Sequence, residues 1–208
     1  MGGEYPVNPT TASRLDAVGR RLLFTEAHTV KRFASTPVGD DELTEIWDLA
    51  KWPPTMFNVQ PLRVLFVRTP EGFERLLPHL TERNRAQSRT APVTAVLAMD
   101  RDYHEHAGLV APHMPQLRDY LAADDTERLE LGRFSAALQV GYFILAVRAA
   151  GLHAGPMSGF DRDSLDREFF PDGRFTSLLV VNIGHPADEG SWRERQVRLP
   201  GAEALRWA

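Results

Sequence analysis

The sequence predicts an α+β fold, one sheet with helices packed around it. Three observations carry this expectation. Three short apolar stretches, residues 62–67, 92–99 and 175–184, read as strands. The segments between them place apolar residues at helical spacing. One of these, residues 127–151, is long, and from Phe134 to Val147 it is apolar on every face. A chain of 208 residues with no internal repeat is expected to form one domain spanning 1–208.

The elements follow in order. Residues 1–12 hold two prolines and two threonines without periodicity and read as a loose N-terminal arm. Residues 15–27, with Leu15, Val18, Leu22, Leu23 and Phe24, read as a helix. Residues 29–38 are expected to be extended, since Pro37 disfavours helix at Thr36. Asp40 or Asp41 caps a helix that runs to Lys51 and is stopped by Trp52-Pro53-Pro54. Leu62 to Val67 is a buried strand. Thr69 and Pro70 start a helix carrying Phe73, Leu76, Leu77 and Leu80. Residues 92–99 form the second strand. Residues 100–125, with His104, His106, Pro112 and His113 and no clean period, read as a mobile flap.

The long helix at 127–151 is expected to be buried all round, either by a second subunit or by the chain's own helices. The stretch Gly155-Pro156-Met157-Ser158-Gly159-Phe160-Asp161 reads as a short linker between that helix and another at 163–169. Its glycines let main chain approach a flat ligand closely. Residues 175–184 form the third strand, and residues 185–208 a basic tail with Arg193, Arg195, Arg198 and Arg206.

Composition narrows the function. Hydrophobic residues at 43% and charged residues at 25% are ordinary globular values, and a net charge of −4 gives no reason to expect nucleic acid. The absence of cysteine excludes disulfides, thiolate nucleophiles and cysteine-held metal clusters. The longest uncharged run, Phe134 to Val147, falls short of the roughly 20 residues that span a bilayer. The N-terminus has no secretory pattern. The expectation is a cytoplasmic protein with no membrane and no nucleic-acid partner.

The dinucleotide and phosphate-loop glycine motifs are absent. Ser158 stands one position off the nucleophile-elbow spacing. His104, His106 and His113 read as solvated flap histidines, and no metal site is expected. Three segments carry more. His28-Thr29-Val30-Lys31-Arg32-Phe33 sets a hydroxyl among basic side chains, which suits a phosphate. Residues 54–61, Pro-Thr-Met-Phe-Asn-Val-Gln-Pro, form a loop with polar amides leading into a strand. Residues 155–161 are the third.

Together these segments resemble the nitroreductase family of flavin enzymes. That family shows a basic-Ser/Thr-x-basic-x-Phe segment, a P-[ST]-x-x-N-x-Q-P loop and a final G-P-x-x-G-F-D, in this order. Residues 49–52, 90–95 and 154–163 are similar to its malonic semialdehyde reductase branch. The resemblance runs from about residue 15 to about residue 200. It implies a central mixed sheet surrounded by helices, an intertwined homodimer, and FMN at the seam between two copies. The implied chemistry is hydride transfer from NADH or NADPH through flavin N5 to a small aldehyde, enone, quinone or nitro acceptor.

By position, the resemblance gives the FMN phosphate to Thr29 and Lys31, with Arg198 from the tail and with His28, Arg32 and Arg195 nearby. Thr55, Met56 and Asn58 would lie along the ring and ribityl chain. Asn84 would meet the pyrimidine side, with Gln87 near N1. Pro156, Met157, Ser158 and Gly159 would cover one ring face, and the Ser158 N–H would point at N5. Met56, Phe57, Tyr103 and Tyr120 would shape the acceptor pocket. This chain departs from the family at three of these places. His28 stands where arginine is usual, Met56 where a hydroxyl is usual, and Gln87 where many relatives carry lysine. Loss of that last cation leaves open a tailoring oxidase that passes electrons to oxygen. A weakened phosphate grip leaves open a flavin-free, ligand-binding relative.

Overall fold

The computed structural model describes residues 14–208. The expected arm at 1–12 lies outside them. Helix α1 (Ala17–Arg20) runs on into a wider turn at Arg21–Thr25. After an extended stretch comes α2 (Asp40–Ala50), whose cap is Gly39 rather than an aspartate: the Glu42 carboxylate accepts the Gly39 N–H at 2.8 Å. Strand β1 (Leu62–Val67) is followed by α3 (Pro70–Leu76), where the Thr69 hydroxyl accepts the Gly72 N–H, and then by α4 (Glu82–Ser88). Strand β2 (Val93–Asp100) leads into two short helices, α5 (Ala107–Val110) and α6 (Leu117–Ala123). The long helix α7 (Asp125–Ala149) starts on the Asp124 carboxylate, which accepts the N–H groups of Thr126 and Glu127. Strand β3 (His153–Met157), α8 (Arg162–Phe169), β4 (Phe175–Gly184) and a last turn, α9 (Gly201–Ala204), complete the chain.

The four strands form one sheet in the order β1-β2-β4-β3, and every pairing is antiparallel. The expected mixed sheet is therefore not found among the described residues. Alternate side chains divide the core. Ala95, Leu97, Val181 and Ile183 pack with α2 and α7 on one face, with Ile46 and Phe143. Val96, Val180 and Met157 pack with Leu76, Leu80 and Leu165 on the other. The sheet is thus a filling between two helical layers.

Three further expectations change. The stretch at 155–161 is not a linker between helices, because His153–Met157 is a strand. Glycine and proline hide it from a propensity reading, yet proline is tolerated here because β3 is an edge strand with no ladder bond needed on its outer side. The flap at 100–125 is a folded lobe: Tyr103, Ala107, Ala111, Leu117 and Leu121 bury one another with Val59. Its apolar residues are spread over short helices, so no single period reveals them. Finally, α7 is not buried all round by this chain. Ser135, Gln139, Phe143 and Val147 are buried, while Phe134, Leu138 and Tyr142 are 58%, 38% and 43% exposed. Among the described residues, no helix is long and apolar enough to cross a membrane.

Candidate functional site

The basic segment at 28–33 lies in a slot made by β3 and the chain after β4. Val30 N–H donates to Ala154 O at 3.1 Å, and Lys31 N–H donates to Ser191 O at 2.8 Å. Ala34 N–H donates to His185 O at 2.9 Å. The fit against β3 is close enough to require glycine: a Cβ on Gly155 would sit 2.5 Å from Val30 O. The tail then folds back, and a cavity of about 310 Å3 opens between His28, Thr29 and Lys31 on one side and Arg193, Arg195 and Arg198 on the other. Glu194 is its single acidic lining residue.

The charges in this cavity are short of partners. Burial, then Arg193 and Arg83, push the Lys31 ammonium below its ordinary value. Burial, then Arg195 and Arg148, push His28 down, so it is neutral at pH 7. Among the described residues, Lys31, Arg193, Arg195 and Arg198 form no ion pair. Arg195 donates to Ala27 O at 2.8 Å, and Arg198 only to carbonyls of its own stretch, Gln196 and Val197. Arg32 differs: its guanidinium pairs with Asp188 and does not line the cavity. Arg193 does line it, although the family pattern does not mark that position. The signal was present in the sequence as a third arginine at alternate spacing with Arg195. Four cations around one hydroxyl-bearing cavity call for a multiply charged anion.

From this slot β3 runs to Ser158 and Gly159. Asn84, on α4, donates its side-chain N–H to Gly159 O at 2.9 Å, and Thr81 N–H donates to the same oxygen at 3.1 Å. A Cβ on Gly159 would meet Asn84 Nδ2 at 2.7 Å, so this glycine makes room for Asn84. The Ser158 N–H makes no hydrogen bond within the chain among the described residues, and Ser158 is exposed. Beneath the strand, the buried hydroxyls of Ser88 and Thr94 both donate to Asn182 Oδ1, at 3.0 and 2.7 Å, and Asn182 Nδ2 faces the Met157 sulfur. Gln87 lies on α4 one turn from Asn84. Pro156, Met157, Ser158, Gly159, Asn84 and Gln87 therefore share one side of the molecule, next to the cation cavity.

The loop at 54–61 sits elsewhere. Phe57, Asn58 and Gln60 hold φ of 53°, 60° and 44°, left-handed values that cost non-glycine residues of the order of 1–3 kcal/mol each. They are held by their neighbours. Met56 N–H donates to Ser135 Oγ, Leu62 N–H to Gln139 Oε1, Gln60 N–H to Thr55 Oγ1, and Asn58 Nδ2 to Val110 O at 2.7 Å. Met56 and Phe57 are left 39% and 37% exposed. The sheet register sets the distance between the two groups. Met157 pairs with Val180, Val180 with Val96, and Val96 with Leu65. Three strand spacings across and three residues along, the two groups stand roughly 15–20 Å apart within one chain.

Two expected acceptor-pocket residues are placed otherwise. Tyr103 is fully buried, its hydroxyl donates to Arg128 O at 2.8 Å, and burial pushes its pKa up to about 12. Tyr120 is exposed and its hydroxyl donates to Glu127. A separate cavity of about 490 Å3 lies between α2 and β1 around Trp47 and Phe66 and shares no residue with the three segments.

The chain is similar to known proteins over most of its length. The family model described as the nitroreductase family matches residues 25–185. A Streptomyces coelicolor protein with the provisional name NADH dehydrogenase/NAD(P)H nitroreductase is 53% identical over 94% of this chain and 96% of its own. A Streptomyces griseus protein with the same provisional name is 45% identical over 92% and 96%. Among solved structures, a nitroreductase-type protein from Exiguobacterium sibiricum in complex with FMN superposes with a TM-score of 0.78 at 21% identity, covering 96% of this chain and 100% of that one.

Proposed function

The chain belongs to the nitroreductase family, and from that premise we propose that it is an FMN-dependent oxidoreductase. It takes hydride from NADH or NADPH and passes it to a small aldehyde, enone, quinone or nitro acceptor. One observation carries the reading: a cavity of unpaired cations is joined, through strand β3, to a main-chain N–H left without a partner at Ser158. The donor set fits a phosphate ester. Lys31, Arg193, Arg195 and Arg198 would hold its charge, and the Thr29 hydroxyl would add a neutral donor.

Bound FMN supplies the hydride chemistry itself, so no side chain here need act as a nucleophile. The chain binds, orients and screens. Pro156 and Gly159 offer one wall, while the Met157 side chain, expected there, is turned into the core. The Ser158 N–H offers a donor to a ring nitrogen, fixed from behind by Asn84 and Thr81. Asn58, spent on Val110 and Gln60, serves by fixing its loop. Met56 and Phe57 shape the acceptor space. The wording shared with the malonic semialdehyde branch favours a small semialdehyde within the acceptor set.

A homodimer belongs to this reading. A stripe of Phe134, Leu138 and Tyr142 on α7 is apolar and exposed on the single chain. The loop at 54–61 is too far from Ser158 to reach the same ring in one chain, and a second copy would bring its own loop there.

The test is the absorption spectrum of purified protein after FMN addition and gel filtration, followed by NADH and NADPH oxidation with and without oxygen. Retained flavin bands and acceptor-dependent turnover are expected. Protein that emerges colourless after FMN loading refutes the reading. Turnover that needs only oxygen moves it to an oxidase.

A further inference from the structure

Behind the cation cavity lies a group of three rings. Trp192 stacks on His28, with centroids 5.5 Å apart and planes at 25°, and on His153, at 6.1 Å and 13°. His28 belongs to the segment that lines the cavity, and His153 starts β3, the strand that ends at Ser158. Trp192 also packs on Val30, Phe33 and Ala91. Just before it, the chain is tied down by a cluster of bonds. Asp188 pairs with Arg32 and caps a tight turn through the N–H of Gly190 and the hydroxyl of Ser191, while Ser191 O accepts the Lys31 N–H. Just after it the ties stop. Among the described residues, no bond between main-chain groups joins 193–199 to the body of the protein; the Arg193 main chain meets the His28 ring, and the Arg195 side chain reaches back to Ala27 O. All three arginines of the cavity follow Trp192 within six positions.

We propose that Trp192 is a positioning residue: its stack on His28 and His153 fixes the arm carrying Arg193, Arg195 and Arg198 over the phosphate cavity. This sets the phosphate-dependent part of FMN binding. The inference rests on the FMN reading above. The stack suits the task chemically. Burial keeps both imidazoles below their ordinary values, so the rings add no positive charge beside Arg195 and Arg148. An aromatic face is rigid and holds its direction with only two side-chain torsions. An arm hung on it keeps three guanidiniums near their working place before the anion arrives, which reduces the ordering lost on binding.

The test compares FMN with riboflavin, which lacks the phosphate, by flavin-fluorescence titration of the dimeric apoprotein. In the wild type FMN is expected to bind far more tightly than riboflavin. Trp192→Ala is expected to weaken FMN about tenfold and riboflavin less than twofold. Trp192→Phe, which keeps a stacking ring, is expected to stay within threefold of wild type for both. The effect is also expected to vanish in an Arg193→Ala/Arg195→Ala/Arg198→Ala background, where the arm has no cation left to place. If Trp192→Ala does not fold, Trp192→Leu keeps the packing on Val30 and Phe33 and removes the stack. A Trp192 variant that weakens both flavins equally, or neither, overturns the inference. A wild type that does not prefer FMN to riboflavin overturns the phosphate assignment itself, independently of Trp192.

Discussion

A single methyl group at residue 155 tests how the cavity is built. In Gly155→Ala the new Cβ would lie 2.5 Å from Val30 O and 3.3 Å from Phe33 Cζ. The first neighbour is main chain and cannot rotate away, so about 0.5–1 Å of separation must be found by moving one backbone against the other. The movable piece is the segment at 28–33, held there by the Val30 N–H bond to Ala154 O at 3.1 Å. Overpacking of this kind costs about 1–3 kcal/mol. In a chain of this length that is a fall in Tm of about 3–10 °C. Thr29 and Lys31 flank Val30, so the same shift misplaces their donors, and with charged hydrogen bonds worth about 1.5–3 kcal/mol the FMN Kd is expected to rise about tenfold to a hundredfold. The assays are thermal melts of apoprotein and FMN fluorescence titration. Gly108→Ala is the control: it lies in α5 with nothing within 4 Å, and alanine is the better helix former there. A Gly155→Ala protein that melts with wild type refutes the packing argument. One that melts low but binds FMN normally refutes the phosphate assignment of Thr29 and Lys31.

Three further outcomes are expected. Arg193→Ala weakens FMN about tenfold or more, while Arg32→Ala, whose charge is already taken by Asp188, changes it less than twofold; the same titration checks both. Stability falls as pH drops from about 6.5 to about 4, because burial, with Arg148, His185 and His28 facing it, holds His153 at about 4 in the folded chain while the unfolded chain takes up the proton near 6.5. The ring is only half-buried and water screens it, so the expected loss is about 1–2 kcal/mol, read by urea titration at several pH values and flattened in His153→Phe. Leu138→Asp or Tyr142→Lys, on the exposed stripe of α7, is expected to shift the protein to a monomer in sedimentation and to abolish FMN retention together.

The parts of the fold written in runs were legible in the sequence. Leu62–Val67 and Phe175–Gly184 stand out because each holds an unbroken apolar run, 64–67 and 178–181, rich in valine and leucine. His153–Met157 did not stand out, since its glycine serves Val30 and its proline is permitted only by the strand's place at the edge. The lobe at 103–123 was hidden for a different reason: helices of four and seven residues carry too few turns to show a period. In the site, the motif order gave the residues but not their jobs. Asn84 and Gly159 meet each other first. Arg32 was expected near the phosphate and Arg193 only in the tail, but the fold puts Asp188 beside the first and open cavity beside the second. Trp192 carries no motif; only the path of the tail brings it between two histidines distant in sequence.

The left-handed stretch at Phe57, Asn58 and Gln60 sets two interests of this molecule against each other. At roughly 1–3 kcal/mol apiece, its backbone penalty is a sizeable share of the 5–15 kcal/mol that separates a typical folded domain from its unfolded chain. Glycine at Phe57 or Gln60 would remove part of that penalty, and at Phe57 it would also remove a side chain from the proposed acceptor space. Heat-hardened descendants of this protein are expected to relax those two positions, and on the proposed acceptor role of Phe57 the change there costs selectivity.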